Sequence, residues 1–135
     1  MIDMKSTFKT KRQLFLETVN YELRPVSYSS ESESQVKCTD SVTASLVDDR
    51  NLKLSFCREI NSIDQLVNMK VQFGLVLELL DGVSLEPNKD YADEFIGTSV
   101  LSGLILRTSL LISQITASFG QPPLITSPTL IENEN

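Results

Sequence analysis

The chain contains no histidine and no tryptophan, and only two cysteines, five glycines and five prolines among 135 residues. Without histidine the commonest general acid/base and metal ligand is missing, which excludes His-dependent triads and zinc sites. The five glycines (Gly74, Gly82, Gly97, Gly103 and Gly120) lie too far apart to cradle a pyrophosphate, which disfavours nucleotide enzymes. Positive charge is also scarce. Twelve Lys+Arg against eighteen Asp+Glu give a net charge of -6, so no counterion release drives binding to phosphate backbones and no nucleic-acid partner is expected. Cys38 and Cys57 form no C-x-x-C pair and read as core thiols, with a disulfide between them left open. The N-terminal run MIDMKSTFKTKRQLF has no apolar stretch of the secretory type, so a cytoplasmic location is expected.

Hydrophobic residues make up 41% of the chain and charged residues 22%, which suits one globular domain with a core. Residues 1–13 carry Lys5, Lys9, Lys11 and Arg12 and read as a flexible lead-in; the domain is expected over 14–130, with a polar tail at 131–135. Phe15, Val19, Tyr21 and Leu23 fall at odd positions with one fault at Glu17, the period of a strand, which Arg24-Pro25 stops. The Ser/Glu-rich stretch Ser27–Gln35 reads as a mobile connection.

Val36, Cys38, Val42, Ala44 and Leu46 alternate with Lys37, Thr39, Ser41, Thr43 and Ser45, giving a second strand with one wet face. Asp40 is the odd residue on its apolar side, a sign of a bulge or an edge. After the turn-forming run Asp48–Asn51, the apolar residues Leu52, Leu54 and Phe56 alternate again, which predicts an antiparallel hairpin. A long fourth strand follows, with Val67, Met69, Val71, Phe73, Leu75, Leu77 and Leu79 at strict two-residue spacing, closed by Asp81-Gly82.

From Tyr91 to Phe119 no proline intervenes, and Val100, Leu104, Leu111, Ile115 and Phe119 share one helical face. Asp90, Asp93 and Glu94 would complement the positive end of such a helix. Leu106 and Leu110 add apolar surface elsewhere on its girth, more than a four-stranded sheet can cover, so a second copy is the expected cover. The segment is long enough to span a membrane, but Arg107 and its many Ser and Thr residues argue against insertion. Arg107 reads either as an interface or ligand-clamping charge or as a side chain reaching along the helix to water. The acidic pairs Glu31/Glu33, Asp48-Asp49 and Asp93-Glu94 lie in wet segments and read as solvated charge rather than acid/base machinery. No enzyme is expected, and no metal or cofactor.

Four antiparallel strands followed by a long helix, and then RTSLLISQITASFGQPPLITSP, resemble the SecB protein-export chaperone family. The tail is the specific part: Arg107, Ile112, Ser113, Gly120, Pro122, Pro123, Leu124, Ile125 and Pro128 fit the family's pattern. Upstream, VNYELRP at 19–25 and VQFGLVL at 71–77 look like the ends of its first and fourth strands.

The resemblance implies an α+β fold, a four-stranded antiparallel sheet with one long C-terminal helix packed on it. It also implies an ATP-independent holdase for non-native polypeptides, including preproteins, assembled as a dimer or tetramer. Phe15, Val19, Tyr21, Leu23, Val76, Leu124, Ile125 and Leu130 are the expected lining of a polypeptide-binding groove. Val100, Leu104, Arg107, Leu111 and Ile115 are the expected interface between copies. Glu22 matches a position used for docking the motor SecA, whereas Lys70 stands where another acid belongs and would weaken that docking. The competing expectation is a dedicated adaptor for one partner, for example an antitoxin, as in relatives that serve toxin–antitoxin pairs.

Overall fold

The computed structural model describes residues 2–23, 36–62, 67–118 and 123–131. The expected connection at 27–35, the stop at Arg24-Pro25, and Gly120 and Pro122 after the helix lie outside these residues. A short helix α1 (Met4–Thr7) leads into β1 (Phe8–Leu23), followed by β2 (Val36–Leu46), β3 (Asn51–Ser62) and β4 (Val67–Leu79). Two helices close the order, α2 (Ala92–Phe95) and α3 (Ser99–Ser118). The strands form one antiparallel sheet in the order β1-β4-β3-β2.

The alternation of the two central strands dictates which face is dry. Leu52, Leu54, Phe56 and Ile60 of β3 stand opposite Leu77, Leu75, Phe73 and Met69 of β4, and directly opposed residues share a face. Helix α3 lays Val100, Leu101, Leu104 and Ile105 on that inner face, and these side chains form the main core with Ala44, Tyr91 and Phe95. Each such aliphatic or aromatic side chain taken out of water contributes about 1.5–3 kcal/mol. A second cluster of Ile60, Met69, Val71 and Ile112 gathers towards the other end of the helix. Although α3 is long and apolar enough to cross a membrane, it packs lengthwise against the sheet.

The N-terminal residues are not a frayed lead-in. Strand β1 begins at Phe8, well ahead of the expected start at Leu14, and Phe8 is buried with its ring 6.0 Å from that of Phe95. The amide of Ile2 donates to Glu94 O, and that of Leu80 to Thr7 O. Lys9, Lys11 and Arg12 hide this strand from a period-two reading because their outward heads interrupt the apolar pattern.

The expected single helix from Tyr91 is also corrected. Gly97 adopts φ 87°, a left-handed conformation that breaks the chain direction between α2 and α3. Thr98 then caps the long helix, its hydroxyl accepting from Leu101 N at 3.3 Å. Asp93 and Glu94 therefore lie in the four-residue α2, not at the start of the long helix. Asp90 has another task. Its carboxylate accepts from Ala44 N at 2.9 Å, and Tyr91 N donates to Ala44 O at 2.7 Å. These bonds engage the outer edge of β2 at Ala44, and among the described residues no strand pairs with the outer edge of β2 or of β1.

Cys38 and Cys57 are free thiols on opposite faces of the sheet, Cys38 opposite Ile60 and Cys57 opposite Ser41. Burial pushes both thiols up from their ordinary pKa.

Candidate polypeptide-binding surface

The fault at Glu17 is a β-bulge. Leu16 pairs with Phe73 and Thr18 with Gln72, which leaves Glu17 as an extra residue. The bulge resets the alternation, so Phe15, opposite Gly74, faces the outer side of the sheet, while Val19 and Tyr21, opposite Val71 and Met69, face the inner side. Phe15 is therefore separated from the other groove candidates of its strand. The backbone of Leu23 pairs with Val67, and its side chain lies outside the described residues. Leu14 and Leu16, opposite Leu75 and Phe73, take the inner-face places that the sequence pattern assigned elsewhere.

Around the bulge the outer face is tightly organised. Glu17 accepts hydrogen bonds from Ser55 Oγ at 2.6 Å and Lys53 Nζ at 3.1 Å. Burial pushes its carboxyl up, but these bonds together with the Lys53 charge outweigh it and hold the pKa below the usual value. The Phe15 ring and the Glu17 carboxylate occupy the space over Gly74, where a side chain would otherwise stand. Val76 is on this outer face too, in a depression with Arg12, Gln13 and Glu78, so it cannot line a groove shared with Val19.

On the inner side, Leu14, Leu16 and Val19 are exposed along the open edge strand, Leu16 at 47%. Helix α3 turns Leu106 (49%) and Leu110 (54%) away from the sheet, beside Arg107, Ser102 and Gly103 on the same outward stripe. The expected interface set divides accordingly. Val100 and Leu104 are buried in the chain's own core and have nothing left to offer a second copy; Leu111 and Ile115 are half-buried against the second cluster, and Arg107 alone faces outward. The heptad-like spacing picked the sheet-facing side because burial, not association, sets the strongest period.

The segment 123–131 runs back over the sheet after α3. Leu124 packs against the second cluster and Leu130 against the main core, whereas Ile125 is 78% exposed. Buried polar groups hold this segment: Leu124 N donates to Thr116 Oγ1, Ser109 Oγ to Thr126 O, and Arg58 to Thr126 Oγ1, Ser127 O and Thr129 O. Ile131 N donates to Asp40 Oδ2 at 2.8 Å, so the first residue of the expected polar tail is bonded to the domain; 132–135 lie outside the described residues. Asp40 and Arg58 are directly opposed in the β2–β3 register and joined at 2.7 Å. Asp40 marks no bulge; it does lie on an edge strand, as expected, but its carboxylate is turned inward to Arg58, which the sequence reading did not single out. The signal was present: two opposite charges on the dry faces of a hairpin, at positions that its turn pairs.

Glu22 is exposed and lines a shallow polar depression of about 330 Å³ on the outer face with Asn20, Glu59, Asn61, Asn68 and Lys70. Lys70 lies 3.7 Å from Glu59 and offsets its charge. Among the described residues no group of three or more His, Cys, Asp or Glu could hold a metal ion. Among the described residues the surface offers exposed aliphatic side chains, a strand edge without a partner strand and side-chain hydrogen bonds directed at backbone atoms.

No family model matches the chain, and no curated protein does. Among solved structures, the Mycobacterium tuberculosis SecB-like chaperone Rv1957, in complex with a ChAD peptide from the Rv1956 HigA1 antitoxin, superposes with a TM-score of 0.63. The identity is 9%, over 88% of each chain. A Streptococcus agalactiae protein of unknown function gives a TM-score of 0.47 at 11% identity, covering 89% of this chain and 98% of that one. With its four-stranded antiparallel sheet and long C-terminal helix, the chain has a SecB-like fold.

Proposed function

We propose that the chain is an ATP-independent, non-enzymatic holdase that binds non-native polypeptides in the cytoplasm. The observation that carries this reading is the row of exposed aliphatic side chains, Leu14, Leu16 and Val19, along the edge strand β1, whose outer backbone groups no described strand occupies. An extended client adds to such an edge through main-chain hydrogen bonds, which are indifferent to sequence, while the aliphatic row takes its alternate apolar residues. Leu106 and Leu110, next to Gly103, offer a close-approach surface for a second copy, so a dimer or tetramer is part of the proposal. Glu22 is the candidate contact for SecA.

Light scattering of a thermally unfolding client tests the reading: suppression at a several-fold excess of this protein is expected, and no suppression overturns it. The peptide bound to the Mycobacterium tuberculosis neighbour favours a second reading, a dedicated adaptor for one partner such as an antitoxin. Unrelated unfolded clients separate the two: a holdase binds them with similar affinity, an adaptor binds none.

A further inference from the structure

The segment 123–131 has no regular secondary structure, yet seven side-chain hydrogen bonds from the domain reach it. Five of the seven end on its backbone: the amides of Leu124 and Ile131 and the carbonyls of Thr126, Ser127 and Thr129. The other two, from Arg58 and Ser109, meet the hydroxyl of Thr126. Two aliphatic anchors complete the seat. Leu124 enters the cluster of Ile60, Met69, Val71 and Ile112, and Leu130 packs on the main core. Such a seat reads an extended backbone and two apolar residues, and is otherwise tolerant of sequence.

We infer that this seat is a polypeptide-binding site occupied in cis by the chain's own residues 123–131, and that an extended client with two aliphatic residues six positions apart displaces them. The inference rests on the holdase reading and gives it a second, regulated site distinct from the β1 edge. The buried Asp40–Arg58 pair is central to it. Both side chains are solvent-free, and the guanidinium still directs bonds at three atoms of the segment. A hydrophobic pair would fill the same space without the buried charge, but it could not grip the carbonyls of Ser127 and Thr129. Intramolecular occupancy lowers the apparent affinity for clients by the fraction of molecules in which the seat is vacant.

The test uses the full chain and a labelled synthetic peptide with the sequence of residues 123–131. Replacing both anchors, Leu124→Ser with Leu130→Ser, loosens the resident segment and is expected to tighten peptide binding at least tenfold over the unsubstituted chain. A peptide with the same two leucines changed to serine is expected to bind neither. Equal peptide affinity for the two proteins overturns the inference. Should the double variant lose its fold by circular dichroism, amide exchange in the unsubstituted chain decides. With reduced, carboxymethylated α-lactalbumin bound, the amides of Leu124 and Ile131 are expected to lose protection while those of β3 keep theirs. Retained protection in a chain that suppresses client aggregation overturns the inference and leaves the holdase reading standing. Failure to suppress aggregation overturns the holdase reading itself.

Discussion

The carboxylate of Asp40 lies 2.7 Å from Nε and 2.8 Å from Nη2 of Arg58, and neither side chain meets solvent. A forked pair of this kind is strong in geometry but costs two desolvations, so its removal is asymmetric. Asp40→Asn leaves a buried guanidinium without its counter-charge and is expected to cost about 3–5 kcal/mol in chemical denaturation. Asp40→Leu combined with Arg58→Met removes both charges and is expected to cost less than the sum of the single changes. Additive losses would show that the pair does not act as a unit.

Gly74 gives a second prediction. Alanine in a strand interior is normally better than glycine by roughly 0.5–1 kcal/mol. Here a Cβ would stand 2.4 Å from Glu17 Oε1 and 2.7 Å from the Phe15 ring. Gly74→Ala is therefore expected to reverse sign and destabilise by about 1–3 kcal/mol, as overpacking does. In a Phe15→Ala background, where the ring no longer fills that space, most of the penalty is expected to vanish.

Glu17 sets an acid-side dependence. Its folded pKa lies below the ordinary value despite burial, because Ser55 and Lys53 bond the ionised form. A depressed carboxyl contributes stability above its unfolded pKa and loses it as pH falls through the folded one. The difference in unfolding free energy between the unsubstituted chain and Glu17→Gln is thus expected to be about 1 kcal/mol at neutral pH, a charged hydrogen bond discounted for solvent screening. It is expected to shrink steadily as pH drops below the usual carboxylate range. A difference independent of pH would assign the loss to packing instead.

Strands β2 and β4 were legible to the residue, since a period of two sustained along each strand, broken only by Asp40, leaves little choice of boundary. Strand β1 was legible only after Leu14, because the cations ahead of it mask the pattern, and its bulge moved Phe15 to the other face from Val19. The break at Gly97 was missed because apolar spacing continues on both sides of it. The seat for residues 123–131 was harder still. Its segment has no period at all, and the groups that grip it, Asp40, Arg58, Ser109 and Thr116, are far apart in sequence and meet only once the hairpin and helix are assembled.

Leu16 isolates the open edge from the rest of the surface. It is 47% exposed and faces the side of the sheet on which α3 packs. Replacing it with lysine puts a charge on the edge strand, a device by which proteins prevent unwanted strand pairing. Because the position is largely solvated, Leu16→Lys is expected to change stability by no more than about 0.5 kcal/mol. Suppression of client aggregation, by contrast, is expected to fall several-fold, and Lys53→Ala on the opposite face is expected to leave suppression intact. Such a pattern, read by scattering and checked by denaturation of the same proteins, separates loss of the binding row from loss of the fold. Unaltered suppression in Leu16→Lys would move the client away from the β1 edge.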